Sequence, residues 1–174
     1  MKKLMAIAAS ALVLALSQAA QAQTYWSSNG GGCVPEDPSI TSALYTTATG
    51  GMRIKFKAGK TGTIKLVCPV NVPVRNASVM EMYYQDPDGY GTAYQVKASL
   101  RSVRYSNGAY ATVCTADSHA PGGSPTGMWS RKSCSLPSPL NPDQYHYWVE
   151  VEISSSATQR TVEFNVARLT YIIP

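Results

Sequence analysis

The chain has 174 residues, 44% of them hydrophobic and 14% charged, with a formal net charge of +5. Lys2 and Lys3 supply two of those charges at the extreme N-terminus, and the other basic residues (Arg53, Lys55, Lys57, Lys60, Lys65, Arg101, Arg104, Arg131, Lys132) are scattered. This argues against nucleic acid or a heparin-like polyanion as partner. With two histidines, His119 and His146, and no close Cys or His pair, the composition also argues against zinc.

Residues 1–22 read as a signal peptide. Lys2 and Lys3 precede an apolar run from Leu4 to Leu16, and Ala20-Gln21-Ala22 has the small-x-small form of a cleavage site. The run is short for a bilayer span, so no stable membrane span is expected after cleavage. Residues 23–174 are then one secreted or periplasmic domain of about 150 residues, long enough for an ordinary core. Four cysteines remain, and an even number in an exported chain predicts two disulfides. Three pairings are possible. Cys33–Cys68 and Cys114–Cys134 are favoured because they close the shorter loops.

Along the chain the hydrophobic period is two. "MRIKFK" puts Met52, Ile54 and Phe56 on one face, and "TIKLVCPV" does the same with Ile64, Leu66 and Cys68 before Pro69 ends the strand. "ASVMEMYYQ" alternates Met80, Met82 and Tyr84 against Val79, Glu81 and Tyr83. "TAYQVKASL" alternates Tyr94, Val96, Ala98 and Leu100 against Gln95, Lys97 and Ser99, and "AYATVCTA" continues the pattern. "QYHYWVEVEIS" points Tyr145, Tyr147, Val149, Val151 and Ile153 inward and His146, Trp148, Glu150 and Glu152 outward. "TVEFNVARLTYII" follows Val162, Phe164 and Val166, then changes phase to Ala167, Leu169 and Tyr171, which predicts a bulge.

Turn signals separate these runs, with Asn107-Gly108 the best hairpin signal. "PEDPSITSALYTT" has room for one short helical turn at most. Thr115 to Gln144 is expected to be a long Gly/Pro/Ser-rich loop tethered by Cys114–Cys134. The predicted fold is all-β, a single antiparallel β-sandwich or jelly roll.

Three groups of residues merit weighing as sites. "DPDGYG" places Asp86 and Asp88 as the first ligands of a calcium loop would lie. Tyr90 at the fifth position and Lys97 at the twelfth, where a bidentate glutamate belongs, favour a structural turn instead. Asp117, Ser118 and His119 are adjacent in sequence, which is not how a triad is assembled. The outward stripe His146, Trp148, Glu150 and Glu152 suits stacking on a sugar ring with hydrogen bonds at its edge, if Trp148 is not covered.

"CVPEDPSI", "KAGKTGTIKLVCPV", "YYQDPDGYG", "VKASLRSV" and "ATVCTADSHA", between Cys33 and His119, resemble a family of uncharacterised exported bacterial β-rich proteins. The resemblance implies an exported β-rich domain and no assigned activity or catalytic residue. The reading is therefore a non-catalytic binding domain, without cofactor, for a carbohydrate, an envelope component or a protein. The alternative is a fimbrial or coat-type subunit assembling through edge strands, with "ARLTYIIP" as the pairing edge. A hydrolase using Glu150 or Asp117 is third.

Overall fold

The computed structural model describes residues 23–48, 50–120, 127–137 and 139–171. Residues 1–22, read as a signal peptide, residues 121–126 of the expected loop and the last three residues lie outside them. In chain order the elements are β1 (Gln23–Asn29), a single 3-10 turn (Gly30–Gly32), β2 (Val34–Pro35), α1 (Pro38–Leu44), β3 (Tyr45–Ala48), β4 (Arg53–Phe56) and β5 (Gly62–Pro69). There follow β6 (Val79–Gln85), β7 (Tyr94–Arg104), β8 (Tyr110–Asp117), β9 (Trp129–Ser135), β10 (Tyr145–Ser155) and β11 (Glu163–Tyr171).

The strands form two antiparallel sheets stacked as a sandwich. One runs β2-β5-β10-β7-β8. The other runs β3-β4-β11-β6-β9, and β1 also lies on β11. β4 pairs with the start of β11, at Glu163 and Phe164, and β1 with the rest, from Val166 to Tyr171, so two strands share one flank of β11. The alternation read from the sequence sets the core. Ile64, Leu66, Val96, Ala98, Leu100, Val149, Val151 and Ile153 of the first sheet meet Ile54, Phe56, Met80, Met82, Tyr84, Phe164, Ala167 and Leu169 of the second, all buried. A strand exposing one face to water and one to a partner sheet requires this period.

Both expected disulfides are present. Cys33–Cys68 anchors the segment before β2 to β5, and Cys114–Cys134 joins edge strand β8 to edge strand β9 across the sandwich. The Asn107-Gly108 hairpin links β7 to β8. Gly108 has φ of 67°, its N–H donates to Arg104 O at 2.8 Å, and Arg104 N–H donates to Ala109 O at 2.9 Å. The expected bulge in β11 falls between Phe164 and Val166.

Several expectations need correction. Trp129–Ser135 is a strand, β9, inside the stretch read as loop, because its Ser-rich and cationic side chains mask the alternation. The segment before β3 holds a seven-residue helix, α1, rather than one turn at most. Asp37 caps it, its Oδ1 accepting from Ser39 N at 2.9 Å, and proline stands first in the helix where its missing N–H costs nothing. Met52 precedes β4 and is 49% exposed instead of core. Val166 faces outward opposite Tyr83, because the bulge comes one residue earlier than the phase change suggests. β8 does not continue the core pattern: it is an edge strand with an irregularity opposite Leu100/Arg101, and Ala116 is its one buried hydrophobic residue. The C-terminal strand β11 is no free edge, being paired along both flanks, so it does not offer the ladder that the subunit alternative needed.

Candidate functional site

The outer face of the β2-β5-β10-β7-β8 sheet is built by strand register. His146 on β10 lies beside Val103 on β7, which lies beside Tyr110 on β8. In the next outward row Trp148 lies between Pro69 and Arg101, and Arg101 is opposite Thr112. Then come Glu150, Ser99 and Thr115, and after them Glu152, Lys97 and Asp117. Because each strand alternates, fixing Val149 in the core sends Trp148 outward.

Trp148 is partly exposed. Tyr110, 77% exposed, meets it edge-on with ring centroids 6.0 Å apart, and His146 stacks against it at 6.1 Å. Arg101 reaches across the sheet, its Nη2 2.9 Å from Glu150 Oε1, and its Nη1 donates to the Thr112 hydroxyl. Arg101, Tyr110, Ala111, Thr112, Trp148 and Glu150 line an open cleft of about 300 Å³. One wall is aromatic and the other carries a fixed ion pair and a hydroxyl.

Of the four residues singled out from the sequence, Trp148 and Glu150 line this cleft, and His146 stacks on Trp148 without lining it. Glu152 lies one row further on, in an ion pair with Lys97 at 3.2 Å, and does not line the cleft. Tyr110, Arg101 and Thr112 were not singled out. The alternation of "TAYQVKASLR" does send Arg101 outward, but which strand lies next to β10 is not written in either strand.

The other two groups sit elsewhere. Asp117 is fixed by Gln95 Nε2, 3.0 Å from both carboxylate oxygens, and by the His119 N–H. The His119 ring bonds Tyr94 O at 2.6 Å, and the fully buried Ser118 hydroxyl accepts from Val96 N at 3.0 Å. Each of these three side chains holds backbone or a neighbouring strand, and they do not form a relay.

Asp86 and Asp88 lie in the link between β6 and β7, which belong to different sheets, so the turn is a crossover and not a hairpin. Asp86 is 3% exposed, and its Oδ1 accepts from Asp88 N at 3.3 Å. Asp88 Oδ2 accepts from Ala93 N at 2.9 Å. Burial first, then the hydrogen bond to Asp88, pushes the Asp86 carboxyl up to about 7. Asp86 Oδ2 and Asp88 Oδ1 are buried and have no hydrogen-bond partner. No third Asp, Glu, His or Cys joins them as a ligand among the described residues.

No family model matches the chain, and no curated protein matches it. Solved structures do. A Clostridium thermocellum endo-1,4-β-D-xylanase 10B, comprising CBM22-1 and GH10 modules in complex with xylohexaose, superposes with a TM-score of 0.52 at 11% identity. The match covers 87% of this chain and 28% of the xylanase, so this chain spans less than a third of that protein. The C-terminal family 22 carbohydrate-binding module of the same enzyme gives 0.46 at 14% identity, over 86% of this chain and 94% of the module. A mannan-recognising module, TmCBM27, gives 0.46 at 7% identity, over 88% and 100%. At these identities the likeness speaks to architecture. The chain is a two-sheet antiparallel β-sandwich, similar in fold to part of a modular xylanase.

Proposed function

We propose that the chain is a non-catalytic carbohydrate-binding domain of an exported protein, and that the outer face of β5, β10, β7 and β8 is its binding platform. The observation that carries this reading is the cleft against Trp148. A pyranose ring has an apolar face of C–H groups and a rim of hydroxyls. A part-exposed indole with a tyrosine set edge-on accepts the apolar face, while Glu150, Arg101 and Thr112 stand where rim hydroxyls need acceptors and donors. The outward positions of these strands carry Lys65, Lys97 and Arg101 against Asp117, Glu150 and Glu152. Three charges of each sign leave no net field, which suits an uncharged glycan.

The likeness to a sugar-binding xylanase supports the reading at the level of fold. Glu150 is engaged by Arg101 and Asp117 by Gln95, which supports binding over hydrolysis. The two disulfides support an oxidising compartment, and no described helix is long and apolar enough to cross a membrane. Within that we place it in the periplasm or the medium, in keeping with the exported family it resembles. The test is calorimetric titration of the purified protein with soluble neutral polysaccharides such as xylan and glucomannan. Binding that is lost in Trp148→Ala and Tyr110→Ala supports the proposal. Binding that neither substitution weakens removes it.

A further inference from the structure

The opposite outer face, on β4, β11, β6 and β9, has its own aromatic residue and a different charge balance. Trp129, at the start of edge strand β9, is 44% exposed. The Arg53 guanidinium, reaching from β4, stands 5.2 Å from the centre of its ring. Met52, Arg53, Trp129 and Asn165 line an open cleft of about 300 Å³. Asn165 is the residue inserted by the β11 bulge, which carries its amide into the cleft wall. Near it, Tyr83 is capped by the Arg168 guanidinium at 4.9 Å.

Among the described residues of these four strands, every outward charge takes part in a shared ion pair. Glu163 holds both Arg53, at 3.2 Å, and Lys55, at 3.1 Å. Glu81 holds both Arg131 and Arg168. Two carboxylates therefore answer four cations, whereas the opposite face is balanced. Arg53 and Trp129 belong to widely separated parts of the sequence, so their contact is a product of the β4-β11-β6-β9 order.

We infer that this second face binds an acidic polysaccharide, one whose sugars carry carboxylates. The indole supplies an apolar wall for a sugar ring. The excess of guanidinium and ammonium groups, already oriented by Glu163 and Glu81, supplies donors in a fork that matches a uronate carboxylate. The Asn165 amide supplies a neutral hydrogen-bonding group at the same wall. A cleft of this volume is of monosaccharide to small-ligand size. A nucleic acid fits less well, because Tyr83 is covered by Arg168, leaving Trp129 as the stacking surface of the cleft, and an excess of two charges answers few phosphates. The inference does not rest on the Trp148 platform.

The experiment is affinity electrophoresis of the purified protein through gels containing polygalacturonate, fully methyl-esterified pectin, neutral xylan or single-stranded poly(dT), each at low and moderate salt. Polygalacturonate is expected to retard the wild type, at least tenfold more tightly than the methyl ester, with retardation falling as salt rises. Arg53→Gln, Arg131→Gln and Trp129→Ala should each weaken it several-fold, and Trp148→Ala should leave it unchanged. Thermal melting of each variant confirms that it is folded, and the two arginine substitutions test the idea even if Trp129→Ala does not fold. Absence of retardation by polygalacturonate overturns the inference. So does equal retardation by the methyl ester or by poly(dT), or retardation that both arginine variants retain. Loss of xylan binding in Trp148→Ala with polygalacturonate binding intact separates the fate of this face from that of the other.

Discussion

The two outer faces of the sandwich are made by the same rule and differ in what they present. On the β2-β5-β10-β7-β8 sheet, Trp148 sits within a lattice of one-to-one ion pairs, Arg101 with Glu150 and Lys97 with Glu152. On the other sheet, Trp129 sits at an edge, beside carboxylates that each hold two cations. A matched lattice leaves contact to shape and hydroxyl hydrogen bonding, while an unmatched one adds a long-range attraction for anions. One fold thus offers two chemically distinct surfaces, and the core between them sets their back-to-back geometry.

The sharpest way to break that comparison is to exchange a face for the core. Val149 is next to Trp148 in sequence and wholly buried. Val149→Asp places a carboxylate between the sheets without a partner, so the cooperative melting transition should disappear in a thermal denaturation followed by circular dichroism. A folded Val149→Asp protein would show that the facing of β10 is wrong.

The faces are also held together covalently. Cys114–Cys134 spans 20 residues and bridges the edges of both sheets, and Cys33–Cys68 spans 35. Loop-closure entropy assigns each about 3–4 kcal/mol. Chemical denaturation of the Cys114→Ser/Cys134→Ser variant should show a loss of that order. An unchanged midpoint would mean that the sheets need no clasp.

Smaller effects come from the crossover that carries the chain from one sheet to the other. Gly89 has φ of 67° in that turn. Gly89→Val forces a β-branched residue into the left-handed region and should cost about 1–2 kcal/mol in urea denaturation. A neutral result would place the turn's strain elsewhere. Asp86, in the same turn, titrates near 7 when folded, against an ordinary value of 3.8. Between those values the folded state holds a proton that the unfolded state has released. Its contribution to stability is therefore fully present below about pH 4 and is lost as the pH rises through about 7. In Asp86→Asn the fall in melting temperature between pH 4 and 7 should be shallower than in the wild type. An identical slope in both would remove Asp86 as its source.

Much of the fold was legible because a two-residue period is a local signal. The facing of Val149 and Trp148, of Leu66 and Lys65, and of Met82 and Tyr83 follows from each strand alone. The disulfides followed from loop length. What escaped was non-local or masked. β9 reads "WSRKSCS", with Ser130 and Lys132 as its buried positions, so its hydrophobic contrast is weak. The Lys132 stem packs inward while its ammonium reaches Ala120 O at 2.5 Å, a solution that no pattern of hydrophobicity reveals. The candidate stripe was half legible. His146, Trp148 and Glu150 come from one strand, whereas Tyr110, Arg101 and Thr112 depend on β7 and β8 lying beside β10 in a particular register. The charge excess beside Trp129 depends in the same way on the strand order of the other sheet.

The central claim is that Trp148 serves the surface and not the core. It is tested most directly by measuring, on Trp148→Ala, both the melting temperature and calorimetric binding to a neutral soluble polysaccharide that the wild type binds. The account predicts at least a tenfold loss of affinity, with a stability cost well below the about 3–5 kcal/mol of deleting a buried tryptophan. Undiminished affinity, or melting as severe as a core deletion, would contradict it.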